Sequence, residues 1–150
     1  MLALVAPGQG AQVPGFLAPW LDLPAVADAV QRWSAVLDLD LADLGVNADA
    51  DTIRDTAIAQ PLLVGAGLAA ASQLSGNVGA FAGHSVGELT AAGLAGVLTP
   101  ESALVLVRER GRAMAHASAI TPTGMTAILG GDAAAVLAKL DELGLTPANV

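Results

Sequence analysis

The sequence predicts an α/β fold built on a parallel sheet, and three observations carry that reading. Two apolar runs without polar alternation, Leu2-Ala3-Leu4-Val5 and Val78-Gly79-Ala80-Phe81-Ala82, suit short strands buried on both faces. Each run ends in a glycine-bearing turn, Pro7-Gly8-Gln9-Gly10 after the first and Gly83-His84-Ser85-Val86-Gly87 after the second. Helix-length segments lie between the runs and after them, an alternation that points to helices packed on a parallel sheet.

The elements follow in order. The loop at Pro7-Gly8 stops the first strand. Residues 24–37 fit an amphipathic helix, because Val26, Val30, Trp33 and Leu37 recur at spacings of 4, 3 and 4. Residues 40–55 are acidic and broken, and read as short helical turns. Pro61 is expected in the first turn of a helix reaching about residue 74, where proline is well tolerated. Ser75-Gly76-Asn77 signals the turn into the second strand. After Ser85, residues 86–95 read as a helix of small residues. Thr99 is the expected N-cap of the next helix, with Pro100 at its first position, and that helix runs to about residue 117.

Thr121-Pro122-Thr123-Gly124 is a boundary signal. Beyond it a strand is expected over residues 125–129, a helix over 132–143 and a glycine stop at Gly144. One strand and one helix do not close a second domain. The sequence therefore reads as the N-terminal portion of a longer protein, expected to fold poorly and to turn nothing over by itself.

Composition narrows the function classes. The chain is 54% hydrophobic and 13% charged, enough apolar content to bury a core. Net charge is −8 with six basic residues, so the electrostatic footprint of a nucleic-acid binder is missing. The histidines, His84 and His116, are far apart and there is no cysteine, which argues against a zinc site of the usual kind. Lack of cysteine also fits a reducing, cytoplasmic setting. The first apolar run has no basic leader, and the low-charge stretch over 61–84 is broken by glycines, so neither a signal peptide nor a membrane span is expected.

Gly83-His84-Ser85-Val86-Gly87 between a strand and a helix has the pattern of a nucleophile elbow. A serine on such a strained turn needs small neighbours two residues away on either side, and Gly83 and Gly87 are small. The helix that follows aims its free N–H groups at the site, beginning with that of Val86, where they can stabilise an oxyanion. The plainer reading is a strand-to-helix turn whose serine caps the helix. A second oxyanion donor is available in the N–H of Gln9, because small residues in its loop allow close backbone approach; an ordinary loop is the equal alternative.

Arg108, Glu109, Arg110, Gly111 and Arg112 form a charged run on the helix after Thr99. At about 100° per residue, Arg108 and Arg112 share a polar side with Glu101. Arg110 instead lines up with Ala103, Leu106, Val107 and Met114. A guanidinium keeps its charge and is costly to bury unpaired, so Arg110 is expected to meet an anion. That anion is either an internal Asp or Glu or a carboxylate on a substrate, which the arginine fork suits.

Together these residues resemble the malonyl-CoA:acyl carrier protein transacylases of fatty-acid synthesis and the related acyltransferase domains of polyketide synthases. Pro7-Gly8-Gln9-Gly10-Ala11-Gln12 is similar to the family's N-terminal motif, and Gly83-His84-Ser85-Val86-Gly87-Glu88 matches its Gly-His-Ser-X-Gly-Glu motif. Glu109-Arg110-Gly111 stands where the family keeps its carboxylate-binding arginine, and Gln60-Pro61 resembles its Gln-Pro helix start. The resemblance spans about residues 2–130.

The resemblance implies an α/β-hydrolase-like core with a parallel sheet over residues 1–122 and the start of a small ferredoxin-like α+β subdomain over 123–150. It implies Ser85 as the nucleophile, the N–H groups of Gln9 and Val86 as the oxyanion hole, and Arg110 on the malonyl carboxylate. Val86 stands where methylmalonyl-using members often carry glutamine, which favours malonyl. Malonyl-CoA is then a substrate, acyl carrier protein the partner, and no metal or redox cofactor is needed. A cytoplasmic monomer is expected, and the start at Met1 looks like a free-standing enzyme. Arg108 and Arg112 are possible contributors to a carrier-docking patch, though solvated surface charge is the plainer reading. The family's Ser–His dyad lacks its histidine here: His84 should point away from Ser85, His116 reads as an ordinary helix residue, and the base is expected beyond residue 150. A serine esterase or thioesterase on the same elbow, and a non-catalytic binding module, are the alternatives.

Overall fold

The computed structural model describes residues 1–121 and 124–148. Strand β1 (Leu2–Ala6) leads through a loop to α1 (Ala18–Leu21), α2 (Pro24–Leu37), α3 (Leu41–Asn47), a 3-10 turn (Thr52–Arg54) and α4 (Thr56–Ala71). Then come β2 (Val78–Gly83), α5 (Gly87–Leu94), α6 (Pro100–Ile120) and α7 (Ala133–Glu142). The fold is mixed α/β with a parallel sheet, as the alternation predicts: β1 and β2 pair in parallel, with Ala3 opposite Ala80, Val5 opposite Ala82 and Ala6 opposite Gly83. Helices α1 to α4 make the crossover between them, and α5 packs against both strands.

The hydrophobic core lies among the helices. Val26, Val30, Trp33 and Leu37 of α2 are all buried, so the 4-3-4 spacing marks the inward stripe. They meet Leu62, Val64 and Leu68 of α4 and Leu104 and Val107 of α6, with Leu17, Leu41, Ile53 and Val86 filling the margins. Each such side chain removed from water contributes roughly 1.5–3 kcal/mol before conformational entropy is charged against it. Residues 40–55 form two short helical elements as expected, each opened by an aspartate: Asp40 accepts from the Asp43 N–H at 2.9 Å and Asp49 from the Thr52 N–H at 2.8 Å. Thr99 caps α6 through the Ser102 N–H at 3.1 Å, and the helix runs on to Ile120 rather than to 117.

Three expectations are corrected. First, the strands are not buried on both faces; Val5 is 73% exposed, and no third strand flanks the pair among the described residues. An apolar run shows that a strand can be covered, while coverage itself depends on neighbouring elements. Second, α4 starts at Thr56, not at Pro61. Asp55 caps it, accepting from the Ala57 N–H at 2.7 Å, and this pulls the start five residues upstream so that Pro61 lies inside the helix. Third, residues 125–129 form no strand; Met125 and Leu129 are 81% and 92% exposed. Strand character is realised by cross-strand pairing and packing, and this run has neither among the described residues. The helix expected over 132–143 is α7, which Asp132 caps from outside through the Ala135 N–H at 2.9 Å; Gly144 follows it with positive φ, as expected of a helix stop. The expected boundary at 122/123 falls outside the described residues. Among those residues, no helix is long and apolar enough to cross a membrane.

Candidate active site

Ser85 stands at the junction of β2 and α5 with φ +53°, one of two non-glycine residues with left-handed backbone among the described residues. The turn is closed by chain contacts that leave no room for side chains at its flanks. A Cβ on Gly83 would collide with the backbone of Gly87 and Glu88, and one on Gly87 would meet the carbonyl of Ala6 and lie 2.6 Å from that of Pro7. The turn is thus wedged against the end of β1, where the His84 N–H donates to the Ala6 carbonyl at 3.1 Å. A non-glycine residue in left-handed backbone costs about 1–2 kcal/mol, and these contacts hold it there. The hydroxyl of Ser85 is exposed, whereas the side chain of Val86 is buried beneath it in the core.

The backbone N–H groups of Gln9 and Val86 donate to no other group among the described residues. Val86 precedes the first residue of α5, so its N–H is one of the free donors at that helix N-terminus. His84 turns its ring to the Gly8 loop: a Cβ on Gly8 would lie 2.5 Å from His84 Nδ1. Gly8 is therefore required by the histidine packed on it, beyond any approach to a ligand. His116, on α6, is exposed. No histidine, aspartate or glutamate hydrogen-bonds Ser85 among the described residues, and no cluster of three metal-ligating side chains is found there.

Arg110 reaches the elbow from α6. Its Nη2 donates to Ser85 Oγ at 3.3 Å, and its Nη1 donates to Gln60 Oε1 at 2.5 Å. The ion pairs among the described residues are Asp51–Arg54, Glu109–Arg112 and Lys139–Glu142, so no carboxylate lies within 4.0 Å of the half-buried Arg110. Of the two anions expected for Arg110, the internal one is not found among the described residues. The inward stripe of α6 is Ala103, Leu104, Val107 and Gly111, with Leu106 and Met114 outside it at 49% and 44% exposure. Arg110 thus borders the buried face rather than occupying its middle, which is how its fork reaches the Ser85 surface.

Gln60 is the polar residue that the residue-by-residue reading left without a role. It is 1% exposed in an apolar stretch of α4, and one buried amide among Ala59, Pro61, Leu62 and Leu63 is the signal that could have marked it. Its Nε2 donates to Met114 Sδ at 3.1 Å and to Gln9 Oε1 at 3.5 Å. Gln9 Nε2 in turn donates to Thr56 Oγ1 at 3.1 Å and to the Arg54 carbonyl at 3.2 Å. One chain of polar contacts therefore links the Gln9 loop, the start of α4, Arg110 and Ser85.

Arg108 is not the exposed charge that helical geometry suggested. It is half-buried and its Nη1 donates to the Ala57 carbonyl at 2.9 Å. Burial, aided by the nearby charge of Arg112, pushes it below the ordinary guanidinium value. Arg112 remains exposed and paired with Glu109 at 2.9 Å.

Comparison with known proteins adds a further finding. The family described as acyl transferase domain matches residues 3–146. The chain is 50% identical over 155 residues to the malonyl CoA-acyl carrier protein transacylase of Mycobacterium bovis, covering 99% of this chain and 51% of that one. It superimposes on a crystal structure of MCAT from Mycobacterium tuberculosis with a TM-score of 0.92 at 49% identity, covering 100% of this chain and 52% of that one. A type II PKS acyl-carrier protein in complex with its malonyl-transacylase contains a similar chain, with a TM-score of 0.82, 31% identity, and coverage of 95% and 48%. The chain thus spans about half the length of these relatives.

Proposed function

The chain belongs to the acyl transferase domain family, and from that premise we propose that it carries the nucleophile and the carboxylate clamp of a malonyl transferase. The substrates in this reading are malonyl-CoA and the phosphopantetheine thiol of an acyl carrier protein, in fatty-acid or polyketide synthesis. The observation that carries it is Arg110: a half-buried guanidinium 3.3 Å from Ser85 Oγ with no carboxylate paired to it among the described residues. Relatives named for malonyl transfer, at 50% identity, support the same substrate class.

In the first half-reaction, Ser85 Oγ attacks the thioester carbonyl of malonyl-CoA and gives its proton to a general base, a role for which no histidine, aspartate or glutamate among the described residues is hydrogen-bonded to Ser85. The carbonyl becomes an oxyanion facing the N–H groups of Gln9 and Val86. Collapse expels coenzyme A, which leaves as the thiol with the proton returned, and malonyl remains as an ester on Ser85. The malonyl carboxylate accepts from Arg110, while Gln60 Oε1 keeps the guanidinium aimed. In the second half-reaction the carrier thiol attacks the ester and Ser85 recovers its proton. No step calls for a metal or redox cofactor. The finer fold in this reading is an α/β-hydrolase-like core over residues 1–122 with a ferredoxin-like subdomain beginning at 123, in a cytoplasmic monomer.

The test is to incubate the intact protein with malonyl-CoA, locate the adduct by peptide mass spectrometry, and then add carrier protein. Malonyl is expected on Ser85 and is expected to move to the carrier. Absence of an adduct overturns the proposal, and an adduct lost equally fast without carrier identifies a hydrolase instead. Arg110→Ala should lower malonyl loading roughly 10–100-fold more than acetyl loading, the scale of one charge-assisted hydrogen-bonded pair.

A further inference from the structure

Arg108 precedes Arg110 by two residues and takes no part in the chemistry proposed above, yet its guanidinium is committed to one backbone oxygen. Pro61 lies inside α4 and has no N–H, so the carbonyl of Ala57, four residues earlier, loses its intrahelical donor. Arg108 Nη1 supplies the missing donor at 2.9 Å. Delivering it leaves Arg108 Nε buried without an acceptor among the described residues, a cost that the contact to Ala57 must offset.

Two neighbouring contacts tie this clasp to the candidate site. Gly111 sets α6 directly on the first turn of α4, since a Cβ there would lie 2.9 Å from the Thr56 carbonyl oxygen and 3.2 Å from Ala57 Cα. Gln60, the residue just before the proline, holds Arg110 Nη1 at 2.5 Å. One turn of α6 therefore presents two arginines to one interrupted stretch of α4, Arg108 to the backbone and Arg110 to the side chain of Gln60.

We propose that Arg108 is a positioning residue: by capping the carbonyl that Pro61 leaves open, it locks the start of α4 onto α6 and so fixes Gln60 and the aim of Arg110 at Ser85. The inference rests on the malonyl reading of Arg110. It explains why an arginine that touches no reacting atom stands beside one that does. A surface charge would not need its partner carbonyl to be orphaned by a proline.

The experiment is a double-mutant cycle in the intact protein with Arg108→Met, Pro61→Ala and both together. Ser85 loading from malonyl-CoA and from acetyl-CoA is measured alongside amide hydrogen exchange over residues 57–60. Arg108→Met should lower the malonyl-to-acetyl loading ratio roughly 5–10-fold, the scale of one hydrogen bond, and speed exchange at the start of α4. Pro61→Ala restores an N–H for the Ala57 carbonyl, so Arg108→Met should have little effect on either readout in that background. Equal loss of malonyl and acetyl loading, or losses that simply add in the cycle, overturns the proposal. A wild-type protein that loads no malonyl refutes the proposed function, and the exchange cycle then still decides the clasp. If Arg108→Met does not fold, Arg108→Lys is read in the same cycle, with partial rescue expected because its ammonium can still donate.

Discussion

Residues 78–94 and residues 125–142 have the same order of parts: an apolar run, a turn bearing two glycines, and a helix. In the first, the run pairs with β1, Gly83 is pressed against the backbone of Gly87 and Glu88, and Gly87 is pressed against the backbone of Ala6 and Pro7. In the second, among the described residues, the run forms no ladder, Gly130 faces open space, and α7 has no buried residue. The glycines of the elbow are demanded by what surrounds them, while Gly130 is demanded by its own backbone, at φ +77°. A tight turn of the first kind belongs to the cooperative fold, and one of the second kind opens locally.

The largest effect expected from this contrast is that of Gly87→Ala. The added methyl meets the Ala6 and Pro7 carbonyls, which cannot move without breaking the β1–β2 junction. A loss of at least ~2 kcal/mol is expected from such overpacking, read from the urea midpoint of the intact protein, together with loss of Ser85 loading. A cost below about 1 kcal/mol would erase the distinction between the two turns. Gly130→Ala should cost less, about 1 kcal/mol of left-handed strain. That cost should be confined to faster hydrogen exchange in α7, with Ser85 loading unchanged; a fall in loading would show that the C-terminal segment is coupled to the elbow.

The smallest effect lies outside both regions and sets a baseline for a purely local cap. Asp49 is held below its ordinary carboxylate value of 3.8, first by the Thr52 backbone N–H and then by the Thr52 hydroxyl. A lowered carboxylate stabilises the fold above its unfolded value and loses that contribution as pH falls through the folded one. The Thr52 amide resonance should therefore titrate with a midpoint below 3.8, and Asp49→Asn should abolish the titration with little change in the urea midpoint.

The parts of this molecule that sequence made legible are those governed by local rules. Thr99 caps its helix wherever it is placed, and the stripe from Val26 to Leu37 needs only a partner surface. The candidate site is legible as residue types at spacings: glycines around Ser85, and an arginine whose position does not suit a solvated run. What escaped was set by pairing across the chain. Pro61 has the local character of a helix start, and the cap that overrides it, Asp55, lies six residues upstream. Arg108 has the local pattern of a solvated charge, and its acceptor, the Ala57 carbonyl, is 51 residues away. The run at 125–129 has strand composition, and composition is silent on whether a second strand lies beside it.

The left-handed backbone at Ser85 carries a consequence for which elements the site can use. Threonine offers the same hydroxyl, but a β-branched side chain is an outlier at φ +53°. Cysteine, unbranched and nearly the size of serine, meets no such barrier. The turn therefore makes a selection before any chemistry begins: it admits an oxygen or a sulfur at the end of a single methylene and refuses the same oxygen on a branched carbon.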